Sequence, residues 1–255
     1  MQEQPVMDFT DKIVMVTGAS RGIGESAARL FAARGAHVIV SSRKTESVES
    51  VAASIRDAGG MASALACHVG DADAVNSAFE RIAAEFGRLD VLVNNAATNP
   101  HFGHIAETPL DMVDKTVEVN VRGYFHMSQK AALLMKDHGG GAIVNTSSIN
   151  GVRPGPYQGI YSITKAAVIS MTQAFAKECA PWKIRVNAVL PGLTDTRFAA
   201  ALTQNETMLK MILPLIPLNR VADPDEIAPA IVFLASDNAS YITGAALPVD
   251  GGFLA

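Results

Sequence analysis

Tyr161 and Lys165 stand four residues apart in the run Tyr161-Ser162-Ile163-Thr164-Lys165. The surrounding pattern is helical, so the two side chains share one face and can touch. A free tyrosine has a pKa near about 10 and is a poor base at neutral pH. An ammonium beside it favours the phenolate and lowers that value. A fall of ~3 units corresponds to about 4 kcal/mol of differential stabilisation. We therefore expect Lys165 to lower the pKa of Tyr161, which could then give a proton to, or take one from, a substrate oxygen. Ser147 and Ser148 follow the short apolar run 142–146. A serine hydroxyl there can hold that oxygen while charge develops on it. Residue type alone does not choose between the two serines.

A second set of residues suits binding. Thr17-Gly18-Ala19-Ser20-Arg21-Gly22-Ile23-Gly24 follows the apolar run 13–16 and opens a helical stretch. A glycine-rich turn in that place lets backbone N–H groups approach a pyrophosphate, and the helix N-terminus adds partial positive charge. The strand before and the helix after make the motif much more specific than its glycines alone.

These groups need elements to hold them. Short apolar runs at 13–16, 38–40, 62–69, 89–93, 142–146, 184–189 and 246–249 read as strands. Between them, 22–34, 45–58, 72–86, 111–136 and 157–180 read as helices, with Ile23, Ala27, Leu30 and Phe31 on one face of the first. Asp223-Pro224-Asp225-Glu226 carries an N-cap acid, a first-turn proline and a capping-box glutamate. Pro229 inside the same pattern predicts a kink or a later start. Strands alternating with helices mean parallel βαβ units. Nearly continuous apolar strands mean a sheet covered on both faces. The expected fold is a single α/β Rossmann-like, doubly wound parallel sheet of about seven strands, ordered 3-2-1-4-5-6-7, with its crevice at the carboxyl ends of the strands.

Charge refines what that crevice takes. Sites that prefer NAD place a carboxylate near the end of the second strand, on the ribose 2′-OH. Here the chain reads Val40-Ser41-Ser42-Arg43-Lys44, with no acid before Glu46. Arg21 in the phosphate turn and Arg43 after the second strand suit a 2′-phosphate, which accepts bidentate charge-assisted bonds. NADP(H) is expected over NAD(H).

The 255 residues are 49% hydrophobic and 18% charged, with a formal net charge of −4. That composition is globular and offers no basic face for nucleic acid. Cys67 and Cys179 lie in apolar runs, as small core residues of a reducing compartment. No apolar run is long enough for a membrane helix, and the first ten residues lack a leader pattern. A cytoplasmic protein with no membrane partner is the expectation. His101-Phe102-Gly103-His104 has no carboxylates at ligand spacing, so no metal is expected. It reads as a loop over the site, with Phe102 as a candidate substrate contact. Met208, Met211, Ile212 and Leu215, set between prolines, suit a lipophilic substrate.

Taken together, TGxxxGxG at 17–24, Asn94-Asn95-Ala96-Ala97 after the fourth strand, Ser148, the Tyr161–Lys165 pair and Pro191-Gly192 resemble the short-chain dehydrogenase/reductase family. The resemblance runs from about residue 12 to residue 252. Ala97 stands where glycine is usual, and His68 where an aspartate often contacts adenine; we read His68 as a satisfied histidine at a strand end. The resemblance selects Ser148 over Ser147 and adds Asn120 as the holder of a relay water to Lys165. It implies a catalytic set of Asn120, Ser148, Tyr161 and Lys165, acting between a carbonyl and an alcohol. Its cofactor set is Gly18, Ser20, Arg21, Gly22, Ile23, Gly24, Ser42, Arg43, Val69, Asn95, Ala96, Tyr161, Lys165, Pro191, Gly192, Thr194 and Thr196. It also implies a flap at about 194–218 and a homotetramer built through the two long helices. Ser41-Ser42-Arg43-Lys44, Cys67-His68-Val69-Gly70 and Asn99-Pro100-His101-Phe102-Gly103 look like NADP-dependent carbonyl and retinal reductases. One rival is a 3-oxoacyl-acyl-carrier-protein reductase, for which Arg122 and Lys130 would form a basic mouth. The other is a dinucleotide-binding sensor or scaffold without turnover.

Overall fold

The computed structural model describes residues 7–255. The first six residues, part of the segment read above as no leader, lie outside them. The strands are β1 (Ile13–Thr17), β2 (His37–Ser42), β3 (Met61–Ala66), β4 (Val91–Asn94), β5 (Gly141–Thr146), β6 (Ile184–Pro191) and β7 (Ala246–Val249). Among the described residues they form one seven-stranded sheet in the order β3-β2-β1-β4-β5-β6-β7, every pair parallel. The helices are α1 (Gly22–Ala33), α2 (Thr45–Asp57), α3 (Ala72–Phe86), α4 (Leu110–Val117), α5 (Tyr124–Lys136), α6 (Gly159–Cys179), α7 (Ala200–Thr203), α8 (Glu206–Ile212) and α9 (Pro224–Ala235).

Strand residues point alternately to opposite faces. Val14, Val16, Val38, Val40, Val91 and Val93 pack with residues of α1, α2 and α9 on one side. Met15, Ile39, Leu92 and Ile143 pack with α3, α5 and α6 on the other. Both faces are therefore covered, which is why the strands read as unbroken apolar runs. The reversal of strand order between β1 and β4 opens the crevice at the strands' carboxyl ends.

Several boundaries differ from the sequence reading. The third strand ends at Ala66, and its chain then turns through Asp71 N to His68 O. The last long helix begins at Gly159, after Tyr157 has taken a left-handed φ of 61°. The helix expected over 111–136 is interrupted: Glu118–Gly123 is a π-helical turn between α4 and α5. It lies against the β3–α3 connection, where a Cβ on Gly123 would sit 2.7 Å from the Val69 carbonyl oxygen. Wide turns of this kind re-aim the residues they contain, and Asn120 is one of them. Finally, α9 starts at Pro224 with its capping box formed, and it keeps Pro229 inside. The anticipated later start does not occur.

Arg185 closes the other end of α9. From β6 its guanidinium donates to the carbonyls of Leu234 at 2.7 Å, Ala235 at 3.1 Å and Ser236 at 2.9 Å. These are carbonyls that a helix end leaves without intrahelical partners. Replacing Arg185 by methionine keeps much of the stem's bulk but leaves those oxygens unpaired. We expect urea unfolding to show a loss of about 2–3 kcal/mol. A change under about 0.5 kcal/mol would mean that the helix end does not depend on Arg185.

Candidate active site

The glycine-rich turn is held by its neighbours on both sides. Ala19 N donates to Ser41 O at 3.0 Å, which draws the turn to the end of β2. Thr17 pairs with Ser41 in the β1–β2 register, so Arg21 and Arg43 emerge from adjoining connections. Both are exposed, and no ion pair among the described residues uses either. On the other side, Thr17 Oγ1 accepts from Asn95 N at 2.9 Å and Ala96 N at 3.1 Å. Asn95 Nδ2 donates to Thr17 O at 3.0 Å. Gly18 has a φ of 64°, and a Cβ on it would lie 2.8 Å from Ala96 Cα. A Cβ on Gly24 would meet Asn95 Nδ2 at 2.5 Å. Asn95 thus braces the turn from behind. Thr17, the centre of this bracing, was not singled out in the sequence. Ala97 takes no positive φ, so alanine fits where glycine is usual.

The far wall of the crevice comes from the chain after β6. Gly192 N donates to Val249 O at 3.0 Å. Thr194 Oγ1 donates back to Gly192 O at 3.0 Å. A Cβ on Gly22 would lie 3.2 Å from Thr196 Cγ2, so this segment reaches over the phosphate turn. Ser20 follows β1, Ile23 lies in the first turn of α1, Ser42 ends β2 and Val69 follows β3, all at the carboxyl edge of the sheet. His68 is occupied: Nδ1 accepts from Gly70 N at 3.0 Å and Nε2 lies 3.5 Å from Lys115 Nζ.

Ser148, Tyr161 and Lys165 come together at the ends of β5 and α6. The Ser148 hydroxyl stands close enough to that of Tyr161 to favour its phenolate form. Ser148 Oγ also accepts from Asn150 N at 3.1 Å, which leaves its own proton free to donate. Geometry separates the two serines: Ser147 Oγ donates to Lys165 O at 2.7 Å and faces the interior. The Lys165 side chain is buried, and Nζ donates to Thr146 O at 2.7 Å. Nζ also lies 5.5 Å from the centre of the Tyr161 ring and 5.3 Å from that of Tyr124.

Asn120 does not touch these three directly. Its Nδ2 donates to Thr98 O at 2.9 Å and Thr164 Oγ1 at 3.1 Å, while Oδ1 accepts from Thr98 N at 2.9 Å. Both amide hydrogens are committed, so the side chain ties the loop after β4 to α6. Phe198, at the start of the 194–218 segment, comes 5.6 Å from the Tyr161 ring. The sequence reading had singled out the later methionines of that segment; a lone phenylalanine beside Arg197 carried no signal. Phe102 packs against Tyr157 at 5.9 Å, and Gly103 bridges to Gln158, which places the 101–104 loop at the entrance to α6. Among the described residues no group of His, Cys, Asp or Glu side chains could hold a metal ion. Among them, too, no helix is long and apolar enough to cross a membrane.

The electrostatics correct one expectation. Burial pushes Tyr161 up to about 12, and the Ser148 hydroxyl only partly offsets it. Burial also pulls Lys165 down to about 7. Lys165 therefore does not lower Tyr161 as the sequence suggested; the dry surroundings act on both groups, each against its charged form. Lys165 titrates near pH 10.5 in the unfolded chain. Between about pH 7 and about pH 10 the unfolded chain binds the extra proton, so stability rises with pH across that window. Urea unfolding at about pH 7 and about pH 9.5 should show the wild type gaining on the order of 2 kcal/mol over Lys165→Met. Parallel slopes would mean that Lys165 is solvated in the folded state.

With this geometry in hand, comparison with known proteins is informative. The family model described as enoyl-(acyl carrier protein) reductase matches residues 18–254. An oxidoreductase of Thermotoga maritima is 40% identical, covering 96% of this chain and 98% of its own. Human dehydrogenase/reductase SDR family member 4 is 36% identical over 96% of this chain and 88% of its own. The solved structure of a gluconate 5-dehydrogenase from Burkholderia cenocepacia, in complex with NADP and tartrate, superimposes with a TM-score of 0.94 at 29% identity, covering 97% of each chain. The chain is an oxidoreductase of the short-chain dehydrogenase/reductase family.

Proposed function

We propose that this protein is an NADP(H)-dependent carbonyl reductase or alcohol dehydrogenase, and that Tyr161 is its proton donor. The observation that carries the reading is the convergence of Ser148, Tyr161 and Lys165 at the end of β5, with Lys165 buried 5.5 Å from the centre of the Tyr161 ring.

The crevice fits a dinucleotide by three features. The closeness of Ala96 and Asn95 behind Gly18 and Gly24 excludes side chains there and leaves bare backbone. The N-terminus of α1 carries no side-chain cap, so its first N–H groups remain available to an anion. No ion pair among the described residues uses Arg21 or Arg43. In this reading Gly18, Ser20, Arg21, Gly22, Ile23 and Gly24 hold the pyrophosphate. Ser42 and Arg43, with Arg21, hold the 2′-phosphate. Val69, Asn95 and Ala96 flank the adenosine half, and Tyr161 and Lys165 meet the nicotinamide ribose. Pro191, Gly192, Thr194 and Thr196 flank the nicotinamide. When bound, that ring supplies or takes the hydride.

Ser148 donates to the substrate oxygen and holds it toward Tyr161, stabilising the charge that develops there. Tyr161, protonated at neutral pH because its pKa is near 12, passes its proton to that oxygen as the alcohol forms. In the reverse direction it must first give that proton up, which becomes easier as pH rises. Asn120 serves as a positioning residue for the loop wall and α6. Phe198 lies exposed beside the Tyr161 ring, and Phe102 and Tyr157 pack together, also exposed, at the entrance to α6, which supports a lipophilic substrate. The rival reading as an acyl-carrier-protein reductase is weakened because Arg122 is tied down by donation to Gly70 O at 2.8 Å. Cys67 and Cys179 are free and buried, in keeping with a protein of the cytoplasm. Phe125, Leu133 and Ile163 are about half exposed on α5 and α6, which supports burial of those faces in a homotetramer.

Loss of reduced-nicotinamide absorbance tests the reading, with NADPH and NADH against an aryl ketone, an α-diketone, retinal and a 3-oxoacyl thioester. NADPH should be preferred, and Tyr161→Phe should lose at least about a thousandfold in kcat. Arg21→Ala with Arg43→Ala should raise KM for NADPH about tenfold or more and leave NADH little changed. NADH preference would overturn the arginine argument. Saturable cofactor binding without turnover of any carbonyl would favour the sensor reading. Light scattering should give four times the chain mass; a monomeric mass would remove the tetramer.

A further inference from the structure

Tyr124 has no part in the reading above, yet it contacts the group on which that reading turns. It is the first residue of α5 after the π-helical turn, and it is 1% exposed. Its ring lies under Lys165 Nζ, 5.3 Å from centroid to nitrogen, while the Tyr161 ring lies 5.5 Å from the same nitrogen. Its hydroxyl donates to Thr146 O at 3.3 Å, the oxygen that also accepts from Lys165 Nζ at 2.7 Å. A carbonyl oxygen has two lone pairs and can serve both donors. No carboxylate among the described residues pairs with Lys165. The groups facing the ammonium are thus the Thr146 carbonyl from β5, the Tyr161 ring from α6 and the Tyr124 ring from α5. The negative face of an aromatic ring attracts a cation, more strongly where water is excluded.

We propose that Tyr124 is a positioning residue whose ring face keeps the buried Lys165 in its ammonium form beside Tyr161, with its hydroxyl anchored on Thr146 to fix the ring. The proposal gives Lys165 a source of charge stabilisation in place of the missing carboxylate. It deepens the reductase reading by naming what offsets part of the burial that draws Lys165 down to about 7. It rests on that reading for its significance, but its test does not require turnover.

The test follows the Lys165 titration through folding stability. Urea unfolding is measured across pH for the wild type and for Tyr124→Phe, Tyr124→Leu and Tyr124→Met, each with Lys165 and with Lys165→Met. The difference within each pair gives the pH at which Lys165 loses its proton in the folded protein. Tyr124→Leu and Tyr124→Met remove the ring and should each move that midpoint to lower pH by about 0.5–1 unit. Methionine fills most of the space should leucine admit water or fail to fold. Tyr124→Phe keeps the ring and should stay within about 0.3 unit of the wild type. A ring-free variant whose midpoint is unchanged or moves to higher pH would overturn the proposal, as would Tyr124→Phe shifting as far as Tyr124→Met. The Tyr161→Phe assay fails or succeeds separately, so a fault in the reductase reading and a fault in this proposal give different results.

Discussion

Lys165 is an amine buried with no carboxylate partner among the described residues, and much of the site is arranged around the cost of charging it there. Burying a charge is costly unless hydrogen bonds and dipoles replace its water. Here the replacements are one carbonyl oxygen at the end of β5 and two tyrosine rings. The carbonyl can serve because β5 ends at Thr146 and sends its next two serines in different directions. Ser147 turns inward and fastens the backbone of Lys165 itself. Ser148 turns outward to Tyr161. A parallel sheet with helices on both faces delivers all of these groups to one edge, because every strand ends there.

The same edge carries the glycine-rich turn, and the two halves of the crevice share supports. Thr17 and Asn95 tie the β1 connection to the β4 connection. Asn120 then ties the β4 connection to α6, through Thr98 on one side and Thr164 on the other. Thr164 is the immediate neighbour of Lys165. Hydrogen bonds of 2.9–3.1 Å thus link the glycine-rich turn, by way of the β4 connection, to the helix that carries Tyr161 and Lys165. Each link is a buried or half-buried amide or hydroxyl whose loss would leave a partner unsatisfied.

The strands, both helical layers and the glycine-rich turn were legible in the sequence because each rests on a local signal, while the strand order followed from the fold class those signals implied. Valine-rich runs flanked by helical periods, and glycines between a strand and a helix, are read within a dozen residues. The capping box at Asp223 is equally local. What was not legible depends on distant neighbours. The π-helical turn at 118–123 arises where the long helix passes the backbone at Val69. Nothing in the alternation of apolar residues around Asn120 marks it. The opposite displacements of Tyr161 and Lys165 depend on how completely α5, α6 and β5 exclude water, and an i, i+4 spacing does not carry that information. Reasoning from the pair alone therefore gave Tyr161 the wrong sign of shift. Tyr124 and Phe198 were passed over for the same reason, since an aromatic residue in an apolar run looks like core until its partner is known. The reverse holds for Ser147 and Ser148, which are alike in sequence and opposite in direction.

In the proposed reading Tyr161 is a proton donor held in its neutral form by burial. The pH dependence of the two reaction directions tests this most directly, using whichever carbonyl the panel identifies and its alcohol. If Tyr161 holds its proton until about pH 12, reduction should not require alkaline pH, while oxidation should climb steadily from about pH 7 to about pH 10. Oxidation already at its full rate at about pH 6 would show that Tyr161, or another group, is deprotonated there, and would contradict the account.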